Sequence, residues 1–205
     1  MKFSNSLPAA AAIAMTCAAL AGCTSHGVSE QTKQKLTYVQ TEVGLGRATV
    51  TETTASLKML READNTQISA AIDNYGKSVQ NLEDKAAGVG LVLNMTTQRA
   101  ANFFDKWDKS ITDLNDANLQ QSSVERKNEM SSEFDKVHTR INALRTNFAP
   151  FMSRLKDIHR SLVADPTKAG RDAALPSIKA ALDQEKSILR DIDALNKSIE
   201  ELKNK

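Results

Sequence analysis

Cys23 is the residue whose type and surroundings point most directly to chemistry. It follows Leu20, Ala21 and Gly22, and this run ends a hydrophobic N-terminal segment. A leucine, two small residues and a cysteine form the lipobox that ends the signal peptide of bacterial lipoproteins. We therefore predict cleavage between Gly22 and Cys23, followed by attachment of diacylglycerol to the Cys23 thiol and of an acyl chain to its new amino group.

The segment before Cys23 has the layout of a signal peptide rather than of a membrane span. Lys2 supplies one positive charge, and residues 7–20 form a mainly apolar stretch of 14 residues. A transmembrane helix needs roughly 20 apolar residues, so this stretch is too short to cross the bilayer. Cys17 is the other candidate for acylation, but the bulky Met15 lies inside its box. The alternative is an ordinary cleaved signal peptide, in which Cys23 has no role.

The lipobox predicts a location in the cell envelope of a Gram-negative bacterium. Two acyl chains already give stable attachment to membrane lipid. Thr24 stands where lipoproteins of the inner membrane usually have aspartate, and this favours the outer membrane, facing the periplasm. We expect residues 1–22 to be the signal peptide, 23–34 a lipidated tether and 35–205 a helical coiled-coil domain. With Cys17 removed and Cys23 acylated, the domain must hold by packing without a disulfide.

The composition favours long helices and argues against nucleic acid as a partner. The 205 residues include 27 basic and 25 acidic side chains, and aromatic residues make up only 4%. The charges alternate in sign along the chain, as they do on solvated helix faces. Nucleic acid requires a clustered basic face, which this pattern does not provide. We therefore expect one helical domain that binds no nucleic acid.

Apolar residues at heptad-like spacing predict the helices. Over residues 130–162 they are separated alternately by four and three positions, the pattern of a left-handed coiled coil. A second seam covers residues 68–93, slips in phase by about one residue, and resumes over 100–114. A fourth helix is indicated over 178–202, and a more loosely spaced first helix over 36–60. The predicted fold is all-α, an elongated antiparallel bundle or coiled coil of three to four long helices.

Local signals predict where the helices begin and end. Polar connectors are expected at 63–66, 115–122 and 164–175. Ser122 and Glu125 form a capping box for the third helix. Pro150 lies inside the third seam and predicts one bent helix, whereas Pro176 marks either the start of the fourth helix or a kink in it. We also expect Asp193 to pair with Lys197 one turn later.

The densest aromatic cluster is the only candidate ligand site. Phe103, Phe104 and Trp107 could bind a lipid or an apolar ligand between helices, but Phe104 and Trp107 also fit the core seam. His138 and His159 lie about 30 Å apart on one predicted helix, too far to share a metal ion. The sequence contains no Gly-x-Ser-x-Gly and no His-Glu-x-x-His motif. We therefore assign no catalytic residue, metal site or cofactor.

Four stretches resemble the bacterial domain-of-unknown-function family 2959 (DUF2959). They are Glu42-Val43-Gly44, the aromatic cluster at 103–107, the polar turn through Asn118-Leu119, and Phe148-Ala149-Pro150-Phe151-Met152 before a long helix. The resemblance covers residues 40–200 and implies a helical coiled-coil protein of the envelope. It implies no enzymatic activity.

Three interpretations of function remain open. The first is a non-enzymatic, lipid-anchored coiled-coil protein that acts as a spacer or as an interaction module for envelope proteins, and the long seams leave homo-oligomers open. The second is structural attachment to peptidoglycan through Lys205, as in the major outer-membrane lipoprotein of enteric bacteria, which also ends in lysine. The third is binding of a lipid or apolar ligand between the helices.

Overall fold

The computed structural model describes residues 28–205, which form four helices and no strand. The helices are α1 (Glu30–Glu62), α2 (Ile68–Thr112), α3 (Ala117–Ala164) and α4 (Lys168–Lys203). Connectors of three to five residues join them, so helices adjacent in sequence run antiparallel. The predicted all-α antiparallel bundle is confirmed.

The four helices close into a bundle because α4 returns to pack on α1. α1 contacts α2 and α4, and α3 contacts the same two helices. Two contacts set the register of α1 against α4: Gln40 Nε2 donates to the carbonyl of Asn196 at 3.2 Å, and Arg47 Nε donates to Asp193 Oδ1 at 2.9 Å. The start of α1 and the end of α4 therefore lie at the same end of the bundle.

One apolar cluster, contributed by all four helices, forms the core. Its largest fully buried side chains include Tyr75 and Phe151. The Tyr75 hydroxyl donates to the carbonyl of Leu155 at 2.9 Å, so α2 and α3 are joined by a buried hydrogen bond as well as by packing. Burial of the Tyr75 ring raises the pKa of its phenol well above the usual range.

α2 and α3 extend beyond the other two helices at one end. α2 has 45 residues against 33 in α1, and α3 has 48 against 36 in α4, a difference of 12 in each pair. At the opposite end of the bundle, short connectors join α1 to α2 and α3 to α4, so the two helices of each pair end together there. α2 and α3 therefore project by about 18 Å beyond α1 and α4. We call residues 101–128 the hairpin tip. It projects from the end where α1 begins and α4 ends.

Two predicted helix starts are wrong. α3 begins at Ala117, before the capping box expected at Ser122 and Glu125. Asp116 is its N-cap, and Asp116 Oδ1 accepts from the backbone N–H of Asn118 at 2.8 Å and of Leu119 at 3.1 Å. This cap satisfies free N–H groups earlier in the chain, so the helix starts there. The connector is 113–116 rather than 115–122.

α4 also begins earlier than expected. It starts at Lys168, and the connector before it is 165–167 rather than 164–175. Thr167 Oγ1 accepts from the Gly170 N–H at 3.1 Å and caps the first turn. Pro176 therefore lies inside α4 and does not start it. Pro150 likewise lies inside α3, which is a single helix as expected.

α1 is one helix in spite of its weak sequence pattern. Ser29 is its N-cap, and the helix continues through Gly44 and Gly46. It begins five residues before residue 35, the first residue of the expected helical domain. The side chains of α1 that face its neighbours include several buried threonines as well as apolar residues.

Candidate functional site

The hairpin tip brings the three predicted aromatic candidates together. The Phe103 ring lies edge-on to both Phe104 and Trp107, with centroids 5.4 Å apart in each case. Phe104 also contacts Phe134 of α3, at 6.2 Å between centroids. Phe104 and Trp107 are only half-buried and Phe103 is exposed. Phe104 and Trp107 were expected to pack in the core. They are only partly covered, because α1 and α4 do not extend along the hairpin tip.

Polar contacts hold the two helices of the hairpin tip together. The Trp107 indole N–H donates to Ser123 Oγ at 3.0 Å. Lys127 Nζ lies 2.5 Å from Asp108 Oδ1. The one buried apolar side chain in residues 101–128 is Ile111, and it is separate from the main core cluster. The tip is therefore an amphipathic helical hairpin with much of its apolar surface uncovered.

A small apolar cavity lies in the middle of the bundle and not at the hairpin tip. Its volume is about 100 Å³. All four helices line it, with Val50, Leu82, Leu144 and Ile192 among the lining residues. Drug-sized ligands occupy roughly 300 Å³ or more, so this cavity suits at most a small apolar group. None of the three aromatic candidates lines it.

Two pairs of glycines, 44/46 in α1 and 88/90 in α2, lie within the helices, and only at Gly46 would a Cβ meet another helix within 4 Å. A Cβ on Gly46 would lie 3.4 Å from Val89 Cγ2, which is a van der Waals contact between α1 and α2. A Cβ on Gly44, Gly88 or Gly90 would meet nothing within 4 Å. The glycines at these three positions are therefore not required by packing.

A polar groove runs between α3 and α4 near Pro150. Its volume is about 520 Å³, and Arg154, Asp157 and Ser177 are among its lining residues. Arg154 Nε is buried without a hydrogen-bond partner, while Asp157 is paired with Arg160. The groove therefore offers one cationic donor beside a carboxylate that already has a partner.

Sequence reasoning missed a buried carboxylate that links α4 to α1. Glu185 Oε1 accepts from Thr54 Oγ1 at 2.6 Å, and Glu185 Oε2 lies 3.4 Å from Lys58 Nζ. Thr53 Oγ1 also donates to the carbonyl of Ser78 on α2 at 3.1 Å. These hydroxyls give α1 specific partners on both neighbouring helices. The signal was present, because Glu185 occupies a seam position three residues after Leu182 and seven before Ile192.

The two histidines on α3 have structural contacts. His159 packs edge-on to Tyr75, with ring centroids 6.1 Å apart, and its ring fills the space beside Gly76. His138 lies within 3.4 Å of the Asn142 side-chain amide. No group of three histidine, cysteine or acidic side chains within residues 28–205 is placed to hold a metal ion.

Lys205 lies against α3 at the end of the bundle where α1 begins. Its ammonium is 3.4 Å from Glu129 Oε1 and 3.5 Å from Glu133 Oε1. The hydrogen bond to Glu129 and the charge of Glu133 raise the pKa of Lys205. Lys205 therefore lies at the same end of the bundle as the start of α1.

The predicted cleavage and acylation site at Gly22 and Cys23 lies outside the described residues. None of α1 to α4 carries an apolar stretch sufficient to traverse a bilayer.

Comparison with known proteins identifies one relationship. The model of a family described as "Protein of unknown function (DUF2959)" matches residues 40–204. Neither a curated protein nor a solved structure matches the chain. The resemblance inferred from residues 42–44, 103–107, 118–119 and 148–152 is confirmed, and the match extends past the end of α4.

Proposed function

The chain belongs to the DUF2959 family, and on this premise we propose that it is a non-enzymatic, lipid-anchored helical bundle that acts as a spacer and interaction module in the cell envelope. The family description states no function, so the proposal depends on this chain's own residues. The observation that carries it is the run Leu20-Ala21-Gly22-Cys23 at the end of a short apolar segment.

The position of α1 supports anchoring through Cys23. Ser29 caps α1, so six residues separate the cysteine from the bundle. A chain of six residues reaches at most about 20 Å when extended. Acylation would therefore hold the start of α1 close to the membrane surface, on the periplasmic face of the outer membrane.

The dimensions of the bundle support a role as a spacer. α1 has 33 residues and thus a length of about 50 Å. If Cys23 is in the membrane, the start of α1 lies near the bilayer, and the connectors at 63–67 and 165–167 lie at the opposite end of the bundle. The bundle can then present surfaces to envelope proteins over a range of distances from the bilayer.

Substitution of each cysteine tests the anchor. We expect Cys23→Ser to abolish incorporation of labelled fatty acid and to move the protein out of the membrane fraction, because the thiol is the acyl acceptor. Cys17→Ser is the matched control, since Cys17 would leave with the signal peptide, and it should retain label and membrane association. The measurement is metabolic fatty-acid labelling with fractionation of cells.

Two outcomes would oppose the proposal. Equal labelling of both variants would show that Cys23 is not the acylated residue. A native protein that carries no fatty acid and is recovered without membrane would show that the segment before Cys23 is an ordinary signal peptide.

A further inference from the structure

The hairpin tip exposes aromatic and aliphatic side chains that no helix of residues 28–205 covers. Phe103 is 54% exposed, and the half-buried Trp107 lies edge-on to it one turn later. Leu114 and Leu119 are exposed at the end of the tip. α1 and α4 do not extend along the tip, so the side of α2 that carries Phe103 and Trp107 is open to an occupant from outside the bundle.

The length of chain before α1 places this side near the proposed anchor. The tip extends about 18 Å beyond the start of α1. Ser29, the N-cap of α1, is only six residues after Cys23, and six residues reach at most about 20 Å. The two lengths are nearly equal, so the tip of an anchored bundle reaches the surface in which Cys23 is held.

The opposite orientation is not open to an anchored bundle. If the tip pointed away from the bilayer, the start of α1 would lie at the far end of the body. The body is about 50 Å long, as α1 is, and it would stand between the start of α1 and the membrane. The six residues after Cys23 are too short to span it.

We propose that the hairpin tip rests on the bilayer that holds Cys23, with Phe103 and Trp107 at the level of the lipid headgroups. This contact rests on the lipid anchor of the proposed function and adds a second attachment to it. Tryptophan is enriched at the membrane–water interface, where its ring is amphipathic. The Trp107 indole N–H already donates to Ser123 Oγ, so the ring can enter the interface without an unsatisfied donor.

The acidic end of the tip determines which side meets the lipid. Asp113 and Asp116 are exposed at this end. Phe103 precedes Asp113 by ten residues and so lies about 15 Å from the end. Insertion end-first to the depth of Phe103 would carry both carboxylates into hydrocarbon, which is costly. The tip therefore leans, so that the aromatic side of α2 faces the bilayer and the aspartates stay among the headgroups.

The charge of the tip favours zwitterionic over anionic phospholipid. Residues 101–128 include five acidic and four basic side chains, and Lys109 is paired with Asp105 at 2.8 Å. Glu200 and Glu201 add negative charge at the adjacent end of the body. Attraction to anionic lipid requires a cluster of basic residues, which is not present here. The contact is therefore hydrophobic, and the anchor strengthens it by holding the tip at a high effective concentration.

The fluorescence of Trp107, the one tryptophan of the chain, tests the contact. The acylated full chain is placed in vesicles of phosphatidylcholine and phosphatidylethanolamine, with or without bromine on the acyl chains near the headgroups. Bromine quenches an indole ring only at short range. We therefore expect a loss of Trp107 fluorescence in the brominated vesicles. An acylated chain whose Trp107 keeps its fluorescence would overturn the proposal.

A tryptophan moved to the other end of the bundle is the matched control. Met59→Trp is combined with Trp107→Phe. Met59 is 63% exposed and lies about 45 Å along α1 from the start of that helix. We expect no loss of fluorescence from this position. Equal quenching at both positions would mean that the whole bundle lies flat on the bilayer, which would also overturn the proposal.

A charge on the aromatic side tests whether that side makes the contact. Phe103→Glu places a carboxylate beside Trp107, and we expect quenching to be lost while acylation persists, because a charged side chain is costly to bury in lipid. Leu91→Glu is the control, since Leu91 is 61% exposed on α2 outside the tip, and it should leave quenching unchanged. Quenching that survives Phe103→Glu, or that is lost equally with Leu91→Glu, would contradict the assignment of this side.

Mass spectrometry of the same preparation separates failure of the contact from failure of the anchor. If Cys23 carries acyl chains and Trp107 is not quenched, the tip contact is wrong and the anchor stands. If the chain carries no acyl group, the anchor is wrong and the tip contact fails with it.

Discussion

Phe151→Ala should lower the free energy of unfolding by about 3–5 kcal/mol, the usual cost of removing a buried phenylalanine side chain. Phe151 is fully buried within α3, and its ring contacts Phe148 with centroids 6.0 Å apart. Truncation leaves a cavity among tightly packed neighbours and removes their dispersion contacts. The free energy of unfolding of a native protein is only about 5–15 kcal/mol, so this loss is a large fraction of the stability.

Urea unfolding followed by circular dichroism measures this loss. With a slope of about 2 kcal/mol/M, the midpoint should fall by more than 1 M, about 1.5–2.5 M. Phe103→Ala is the matched control, because it deletes the same side chain at an exposed site and should cost about 1 kcal/mol or less. Similar midpoints for the two variants would contradict the placement of Phe151 in the core.

Gly170→Ala should destabilise the bundle, whereas Gly88→Ala should stabilise it. A Cβ on Gly170 would overlap the backbone carbonyl of Asp165, so the 165–167 connector would have to move and the Thr167 cap would be disturbed. Such overpacking costs about 1–3 kcal/mol. A Cβ on Gly88 meets nothing within 4 Å, so alanine gains about 1 kcal/mol of helix propensity there.

Thermal unfolding distinguishes the two glycines by sign. For a domain of this length, 1 kcal/mol shifts Tm by about 2–4 °C. Gly88→Ala should therefore raise Tm by about that amount, and Gly170→Ala should lower it by at least as much. An increase in Tm for Gly170→Ala would show that the first turn of α4 does not pack against the 165–167 connector as described.

α2, α3 and α4 were predictable because their apolar seams are long, whereas the pattern of α1 is looser. The boundaries were less so, because several residues can cap a helix and tertiary packing chooses among them. Ser122 and Glu125 satisfy the capping pattern, yet Asp116 precedes them and serves the same purpose for a longer helix. Pro176 lies inside α4 although proline costs a helix interior about 3 kcal/mol, and the turns before it bury Gly170 and Ala174 against the bundle.

Partners on other helices were not visible in the sequence. Asp193 was expected to pair with Lys197 on the same helix, but it accepts from Arg47 of α1, and Lys197 lies beside Glu201 instead. An arginine from a neighbouring helix offers two N–H donors to one carboxylate, which a lysine does not. Seam residues near the tip were likewise expected to be covered, but burial depends on where the neighbouring helices end.

Mass spectrometry of the N-terminal peptide of the membrane-purified protein tests the proposed anchor most directly. We predict that the mature chain begins at Cys23 and that this residue carries a diacylglyceryl thioether and an amide-linked acyl chain. A mature chain that begins at another residue, or one that begins at an unmodified Cys23, would contradict the assignment of this bundle as a lipid-anchored envelope protein.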